Sequence, residues 1–414
     1  MASNDAANEA TQGRVWKPRL QVFIGSGGML NVGAQPTTQI SFPISANCIR
    51  SNFFAADRFK IVCSLYADST QSDDFWSEFT DMNVAVLIGF ESTTAGSAAG
   101  TMVVPYTQIF RGVADKIEFD LIKGTVSVTG RNFAALMIDS TLQSFDLNTP
   151  MTDVINTIAT RHGLTTDLPG VPAGQTYGSM VGGDKGGGQL GFQTNKIGEW
   201  ELLTTYAAFL GNVVYELNGV LYFVPSNATN ATNTTGAGFG GGNTWYCQAP
   251  NPVFNAVPGA ATGQGAGGVT TLGDSNATSL KVTHDYQFSQ YAQTTAVLHN
   301  HHKPETILYK YPADEDLPAD LPIKRFYFET QNKTDDDMTM LIQNYHNVMN
   351  YREWLLEWKF VGPDMLQANI VDVVEVSGTN SQVDGEYSIA SIEWDISFSR
   401  GFTQTIKGVW GRTT

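Results

Sequence analysis

The chain has 414 residues and a formal charge of −16, with 15% of residues charged and 42% apolar. It is long enough for two or three domains and apolar enough for real cores, which excludes wholesale disorder. No cluster of Lys and Arg is present, which excludes a generic nucleic-acid reader.

Residues 1–14 read as a flexible arm: MASNDAANEATQG is polar and lacks the apolar core of a secretory signal, which predicts an intracellular folding compartment. From Trp16 the pattern changes. Pro18–Phe23 alternates, and strand-like segments follow at Gln39–Phe42, Asp57–Leu65, Val84–Phe90, Thr101–Tyr106, Phe110–Val113, Lys116–Leu121 and Thr125–Thr129. They are short and separated by Gly, Asp, Asn or Ser, the pattern of an antiparallel barrel or sandwich.

A mixed region begins near Arg131. Thr149 as N-cap and Pro150 at the first helical position predict a helix with Val154, Ile155 and Ile158 on its apolar stripe and Gly163 as its stop. A second helix is predicted from Glu199 to Leu210. Val213–Leu217 and Gly219–Val224 form a hairpin around Asn218-Gly219. Two low-complexity stretches, 170–190 and 217–273, read as loops or inserts; the second contains no Asp, Glu, Lys or Arg. Its sequons at Asn227, Asn230 and Asn233 read as chance in a Thr/Asn-rich loop.

The last third returns to strands at Leu280–Thr283, Tyr291–Val297, Glu305–Tyr309, Ile323–Phe328, Trp354–Phe360, Ala368–Val376, Gly385–Glu393 and Gln404–Trp410. A helix near 335–350 interrupts them, opened by Thr334 and Asp335–Asp337, whose carboxylates suit the positive helix end. Trp354, Leu356, Trp358 and Phe360 alternate with more polar neighbours, so one face packs and the other is solvated.

No chemistry-bearing constellation emerges, so no catalytic, cofactor-binding or metal-binding residue is assigned and no cofactor is expected. Cys48, Cys63 and Cys247 form no CxxC pair, and Cys63 reads as a buried free thiol. His299-Asn300-His301-His302 lacks the converging partners a zinc site needs. The acidic runs Asp73-Asp74, Asp314–Asp316 and Asp335–Asp337 are adjacent residues, not an opposed pair. The GSGG at 25–28 reads as a turn, and neither GxSxG nor a Walker sequence occurs. No apolar run is long enough to span a membrane.

The order of several segments resembles the baseplate hub proteins of bacteriophage tails, the late control protein D family, related to the hub part of type VI secretion spikes. Asn47–Asn52 with Ala56–Ile61 is similar to the family's early strand, turn and strand, and Phe110–Asp115 to a later strand entry. Gly124–Ser140 carries the strongest likeness: a strand ending in Gly-Arg-Asp, then a short helix leading to an Asp. Here the sequence reads Gly130-Arg131-Asn132 and reaches Asp139. Asn148–Ile155, Trp200–Leu203 with Gly211-Asn212 and Leu221–Phe223, Asp384–Ile389 and Phe402–Ile406 continue it.

The resemblance implies a mainly β chain with an α/β insertion: two tail-tube-like antiparallel β-barrel domains at 15–140 and 281–414 around a mixed region at 141–280. It implies a non-enzymatic homotrimer, a structural baseplate hub that adapts a sixfold tail tube to a threefold spike or tip and forms part of the conduit. Its partners would be the tail tube or distal tail protein, the central spike or tip protein and the tape measure protein, with no sequence-specific nucleic-acid binding. Its place would be the virion tail baseplate, assembled in the host cytoplasm, and an acidic lumen would let a polyanion slide. The alternatives are another β-rich tail component, such as a distal tail or adaptor protein, a cell-wall glycan-active enzyme and a carbohydrate-binding module.

Overall fold

The computed structural model describes residues 15–26, 32–51, 55–79, 81–93, 102–143, 145–146, 148–176, 198–210, 212–225, 244–248, 255–258, 277–285, 291–299, 306–314, 324–331, 339, 342–343, 346, 354–370, 372–377, 379 and 381–410.

The first strands are β1 (Val15–Ser26), β2 (Thr38–Gln39), β3 (Pro43–Ser51) and β4 (Arg58–Ser64), followed by the short helix α1 (Asp73–Ser77). Strand β5 (Met82–Thr93), β6 (Met102–Asp120) and β7 (Thr125–Arg131) come next. The three short strands expected between Thr101 and Leu121 are thus one 19-residue strand, β6. Register shifts against β5 and β7 let it bend without breaking.

Three helices follow: α2 (Ala134–Ile138), α3 (Met151–Arg161) and α4 (Glu199–Leu210). In α3 the cap position is Pro150 itself, with no side-chain cap from Thr149. Gly163 has φ +70°, the left-handed geometry expected of a glycine stop. Around α3 and α4 lie β8 (Thr165–Asp167), β9 (Asn212–Leu217) and β10 (Val220–Pro225), a three-stranded sheet in the order β8-β10-β9. The β9–β10 turn is the expected Asn218-Gly219, with φ +54° and +90°.

The uncharged stretch 217–273 is not all loop. It contains β11 (Thr244–Gln248) and β12 (Asn255–Pro258). The sequons, the stretch 177–197 and most of the helix expected near 335–350 lie outside the described residues; Thr339, Ile342, Gln343 and His346 within that helix are helical. The remaining strands are β13 (Ala277–His284), β14 (Tyr291–His299), β15 (Thr306–Tyr311), β16 (Lys324–Gln331), β17 (Trp354–Phe360), β18 (Val373–Ser377), β19 (Gly385–Ser397) and β20 (Gly401–Trp410).

The expectation of two closed barrels is not met. Fourteen strands form one sheet, running β12-β11-β18-β19-β3-β4-β7-β6-β5-β1-β2, with β20, β17 and β13 branching from β19. Pairing is antiparallel except between β11 and β18. A barrel from the first strands alone would have to close on the free edge of β3. That edge is taken by β19, from the far end of the chain, in the register Ser51↔Ser391 to Ser45↔Ser397. A strand has two edges, and β3 spends its other one on β4. The strands β15-β14-β16 form a third, separate sheet.

Alternation explains the cores. In β7 every second residue is buried, and in β17 Leu356, Trp358 and Phe360 point inward. These join Phe90, Phe110, Trp394 and Ile406 in one apolar cluster that spans strands from both ends of the chain. A second cluster, with Phe133, Ile155, Leu203, Tyr206 and Phe223, packs α2, α3 and α4 on the β8-β10-β9 sheet.

Candidate functional site

The segment with the strongest family likeness, Gly130-Arg131-Asn132, stands where β7 hands over to α2, and each of its three residues has a distinct physical task. Strands β6 and β7 approach so closely at this end that a side chain has no room. A Cβ on Gly130 would run into the Val113 carbonyl and come within 2.6 Å of the Phe59 ring. One on Gly112 would strike the Arg131 carbonyl and lie 2.8 Å from Asn132 Cα.

Arg131 points to the surface. Its guanidinium donates to both Asp115 oxygens at 2.7 and 2.8 Å and to both Asp139 oxygens at 3.2 and 2.7 Å. The two carboxylates hold its pKa above the ordinary arginine value. It therefore ties β6, β7 and the end of α2 into one corner.

Asn132 points inward, to a buried ionic junction. Its side-chain amide donates to Asp57 Oδ2 and to the Glu216 carbonyl, both at 3.2 Å. Its backbone N–H donates to the Asp57 carbonyl at 3.0 Å. An aspartate at this position, as the family resemblance would have it, could not donate to either acceptor when ionised and would add a third buried carboxylate.

Asp57 accepts the Ser51 N–H at 2.9 Å and faces Arg50, whose Nε is 3.8 Å away. Arg50 also donates to the Ile109 carbonyl at 2.8 Å and lies 5.2 Å from the Trp394 ring centroid, so it touches β6 and β19 from its place on β3. Glu216, on β9, accepts the N–H of Phe133 at 2.9 Å and of Gly219 at 2.6 Å. Close by, Arg111 on β6 donates to the carbonyls of Val32 and Ala34 and packs over Phe133.

All five side chains, Arg50, Asp57, Arg111, Asn132 and Glu216, are buried. Burial outweighs the partners of the two acids. It pushes Asp57 up to about 7 and Glu216 up to about 8, and it lowers Arg50. The arrangement joins the large sheet to the unit built on α2, α3 and α4. It is closed in, with none of the five residues more than 6% exposed. Its chemistry is that of a tie between two packed layers.

Other residues singled out in the sequence are scattered. His299 ends β14, while His301 and His302 lie outside the described residues. Among the described residues no group of three His, Cys, Asp or Glu could hold a metal ion, and no helix is long and apolar enough to cross a membrane. Asp73 and Asp74 open α1, and Asp314 is held by Lys310 and Gln293. Cys63 is a buried free thiol, as expected, and Cys48 is another. Gly25 and Ser26 end β1, and the rest of GSGG lies outside the described residues. The sequence did not single out Asp57 and Glu216 as partners. They are 159 positions apart, and the only local cue is a charged residue in the middle of each apolar run.

No protein-family model matches the chain, and no curated protein matches it by sequence. Solved structures do share its fold. A tail protein from Neisseria meningitidis MC58 aligns with a TM-score of 0.57 at 11% identity, over 95% of this chain and 98% of that one. The 43 kDa tail protein of prophage MuSo2 from Shewanella oneidensis aligns with a TM-score of 0.56 at 15% identity, over 95% and 99%. A Francisella PdpA-VgrG complex aligns with a TM-score of 0.51 at 8% identity, over 96% of this chain and 53% of that one. At these identities the likeness is one of fold.

Proposed function

We propose that this chain is a structural component of a phage-type tail. The observation that carries the reading is end-to-end correspondence of fold: two tail proteins of similar length align over nearly their whole chains and 95% of this one. A shared domain inside otherwise unrelated proteins would align over a part. The ordered likeness of Gly124–Ser140 and the later segments to baseplate hubs supports the same reading from the sequence side.

Within a tail we place it at the hub. Three copies form a ring between the sixfold tube, or a distal tail protein, and the threefold spike or tip, with the tape measure protein ending against it. Assembly takes place in the host cytoplasm and the product resides in the virion baseplate. The ring walls the conduit and performs no catalysis. Each copy contributes an arm (1–14), an N-terminal strand region (15–140), a mixed region (141–280) and a C-terminal strand region (281–414). The buried junction of Asp57, Asn132 and Glu216 fits a part that must hold its shape under load, because it locks two layers with side-chain hydrogen bonds instead of leaving them to slide.

Light scattering on the purified full chain tests this. A solution mass near three times 44.9 kDa is the expected result. A mass of 44.9 kDa at every concentration, in the presence and absence of a tube protein, would overturn the hub.

A further inference from the structure

The sequence contains a single Asn-Gly pair, Asn218-Gly219, and it forms the β9–β10 turn. Such a pair is chemically labile in an unfolded chain, because no Cβ on the glycine shields its nitrogen from the asparagine side chain. The Gly219 nitrogen gives up its proton and bonds to Asn218 Cγ; the Cγ–Nδ2 bond breaks and ammonia leaves. Water then opens the five-membered succinimide at either carbonyl and leaves aspartate or isoaspartate at position 218. The reaction needs no oxidant, metal or second enzyme.

The groups that this reaction must move are held. The Gly219 N–H donates to Glu216 Oε1 at 2.6 Å, and the Gly219 carbonyl accepts the Thr165 N–H at 3.0 Å. The Asn218 side-chain oxygen accepts Gln108 Nε2 at 2.9 Å. To close the ring, the peptide between the two residues must turn until its nitrogen meets Cγ, which takes the N–H off Glu216. The Asn218 side chain must also swing away from Gln108. Asn218 itself is exposed, so water can reach it and ammonia can leave.

The restraints come from both layers. Gln108 belongs to β6 of the large sheet, while the turn belongs to the β8-β10-β9 sheet. Val32 and Arg111 press on the turn from the side of the large sheet: a Cβ at Gly219 would lie 3.6 Å from Val32 Cγ1 and 3.9 Å from Arg111 Nη1. Glu216 is fixed in turn by the Phe133 N–H on its carboxylate and the Asn132 amide on its backbone carbonyl. The contacts that join the layers are thus the ones that shut the turn. We propose that Asn218 is a modification site gated by this joint, converted to aspartate or isoaspartate when the layers part and preserved while they are joined. The rate of conversion is then the unfolded-chain rate multiplied by the fraction of time the joint is open. Isoaspartate adds a carbon to the backbone of a two-residue turn, so each conversion is a lasting mark of one opening. The site lies within one chain and needs no second copy.

The full chain is incubated in buffer and in urea, and peptide mapping follows the aspartate and isoaspartate forms at position 218. Wild type, Gln108→Ala, Asn132→Ala and Gly401→Ala are compared, with a thermal melt of each to confirm folding. Conversion of the wild type is expected to be at least about tenfold slower in buffer than in urea. Gln108→Ala removes one bond between the layers and is expected to raise the rate in buffer about twofold to tenfold. Asn132→Ala loosens the joint without touching either residue of the turn and is expected to raise it at least as much. Gly401→Ala strains the separate β19–β20 turn and is expected to leave it unchanged. Equal rates in buffer and urea overturn the gate. A rise in Gly401→Ala as large as in Asn132→Ala overturns it as well, because global unfolding then exposes the pair. Slow conversion that neither Gln108→Ala nor Asn132→Ala speeds means that the turn protects itself, and the joint loses its role. An absence of conversion in urea overturns the site itself.

Discussion

The carboxylate of Glu216, the penultimate residue of β9, accepts the backbone N–H of Phe133 at 2.9 Å, at the entry to α2. A helix start has N–H groups with no intrahelical acceptor, and a carboxylate from another layer satisfies one of them here. The second carboxylate oxygen takes the Gly219 N–H, so one side chain fixes both the helix entry and the β9–β10 turn. Glu216→Ala leaves two N–H groups without this acceptor, and the expected loss is about 2–4 kcal/mol in urea unfolding. Glu216→Gln keeps a carbonyl for one of them and is expected to cost roughly half as much.

The same junction sets a pH dependence. Asp57 is pushed up from 3.8 to about 7 and Glu216 from 4.5 to about 8, both by burial. Unfolding frees both acids to ionise at their ordinary values, so ionisation favours the unfolded chain. Their contribution to stability is fully present below about pH 4 and is lost as pH rises through about 7 and 8, at about 1.4 kcal/mol per unit of difference. Asp68, Glu118 and Asp120 are shifted the opposite way by their partners, and their contribution is lost only as pH falls below the ordinary carboxylate range. Buried His346 is lowered from 6.5 by burial and acts the opposite way in the acid part of this range, so the buried pair governs between about pH 7 and 9, where the melting temperature falls as pH rises. Glu216→Gln flattens that slope near pH 8. A slope unchanged by both Glu216→Gln and Asp57→Asn would place the dependence elsewhere.

Much of the local structure was legible. The alternation around Trp354–Phe360, the α4 boundaries and the Asn218-Gly219 turn follow from short-range rules, and the structure places each of them as read. What was not legible is long-range. Alternation identifies a strand but not its neighbour, so it could not show that β3 pairs with β19 across some 340 residues instead of closing with its own group. The strands β11 and β12 were hidden because they sit in a stretch whose composition reads as loop, yet β11 gains order by pairing with β18. The junction was hidden for a related reason: Glu216 looks like any charged residue beside a turn until Phe133 and Asn132 are brought against it.

Glycines at the β6–β7 end are expected to be intolerant for a steric reason. In Gly112→Ala and Gly130→Ala the new methyl would meet backbone, which cannot rotate away as a side chain can. A loss of about 4 kcal/mol or more is expected for each, seen as poor soluble yield or a collapsed melting transition. Gly401→Ala is the control. Gly401 has φ +79° but nothing within 4 Å of a Cβ, so only the left-handed backbone is strained, at a cost of about 1–2 kcal/mol.

Burial also predicts thiol behaviour. Cys63 is pushed up to about 12 and Cys48 is raised as well, in both cases chiefly because the thiolate would lose its hydration. Neither is expected to react with a thiol-specific aromatic disulfide at pH 8 in the folded chain, while all three cysteines react in urea. Fast modification of Cys48 in the native state would mean that the β3–β19 pairing opens readily, since Cys48 faces Trp394 in that register.

That pairing can be tested at its centre. Trp394 is buried in the main apolar cluster, with Arg50 over its ring, and its Nε1 has no hydrogen-bond partner among the described residues. A buried orphan N–H is a cost that the ring's packing outweighs. Trp394→Phe removes that cost together with part of the ring, and a net change under about 1.5 kcal/mol is expected. Trp394→Ala opens a cavity where strands from both ends of the chain meet and is expected to cost about 3–5 kcal/mol. It also strips Arg50 of its aromatic partner, so Trp394→Ala and Arg50→Met should not be additive. A double-mutant cycle is expected to give a coupling of about 0.5–2 kcal/mol. Zero coupling would reduce Trp394 to a space-filling residue and leave Asp57, the Ile109 carbonyl and the Asn369 side chain as the groups that hold Arg50 in place.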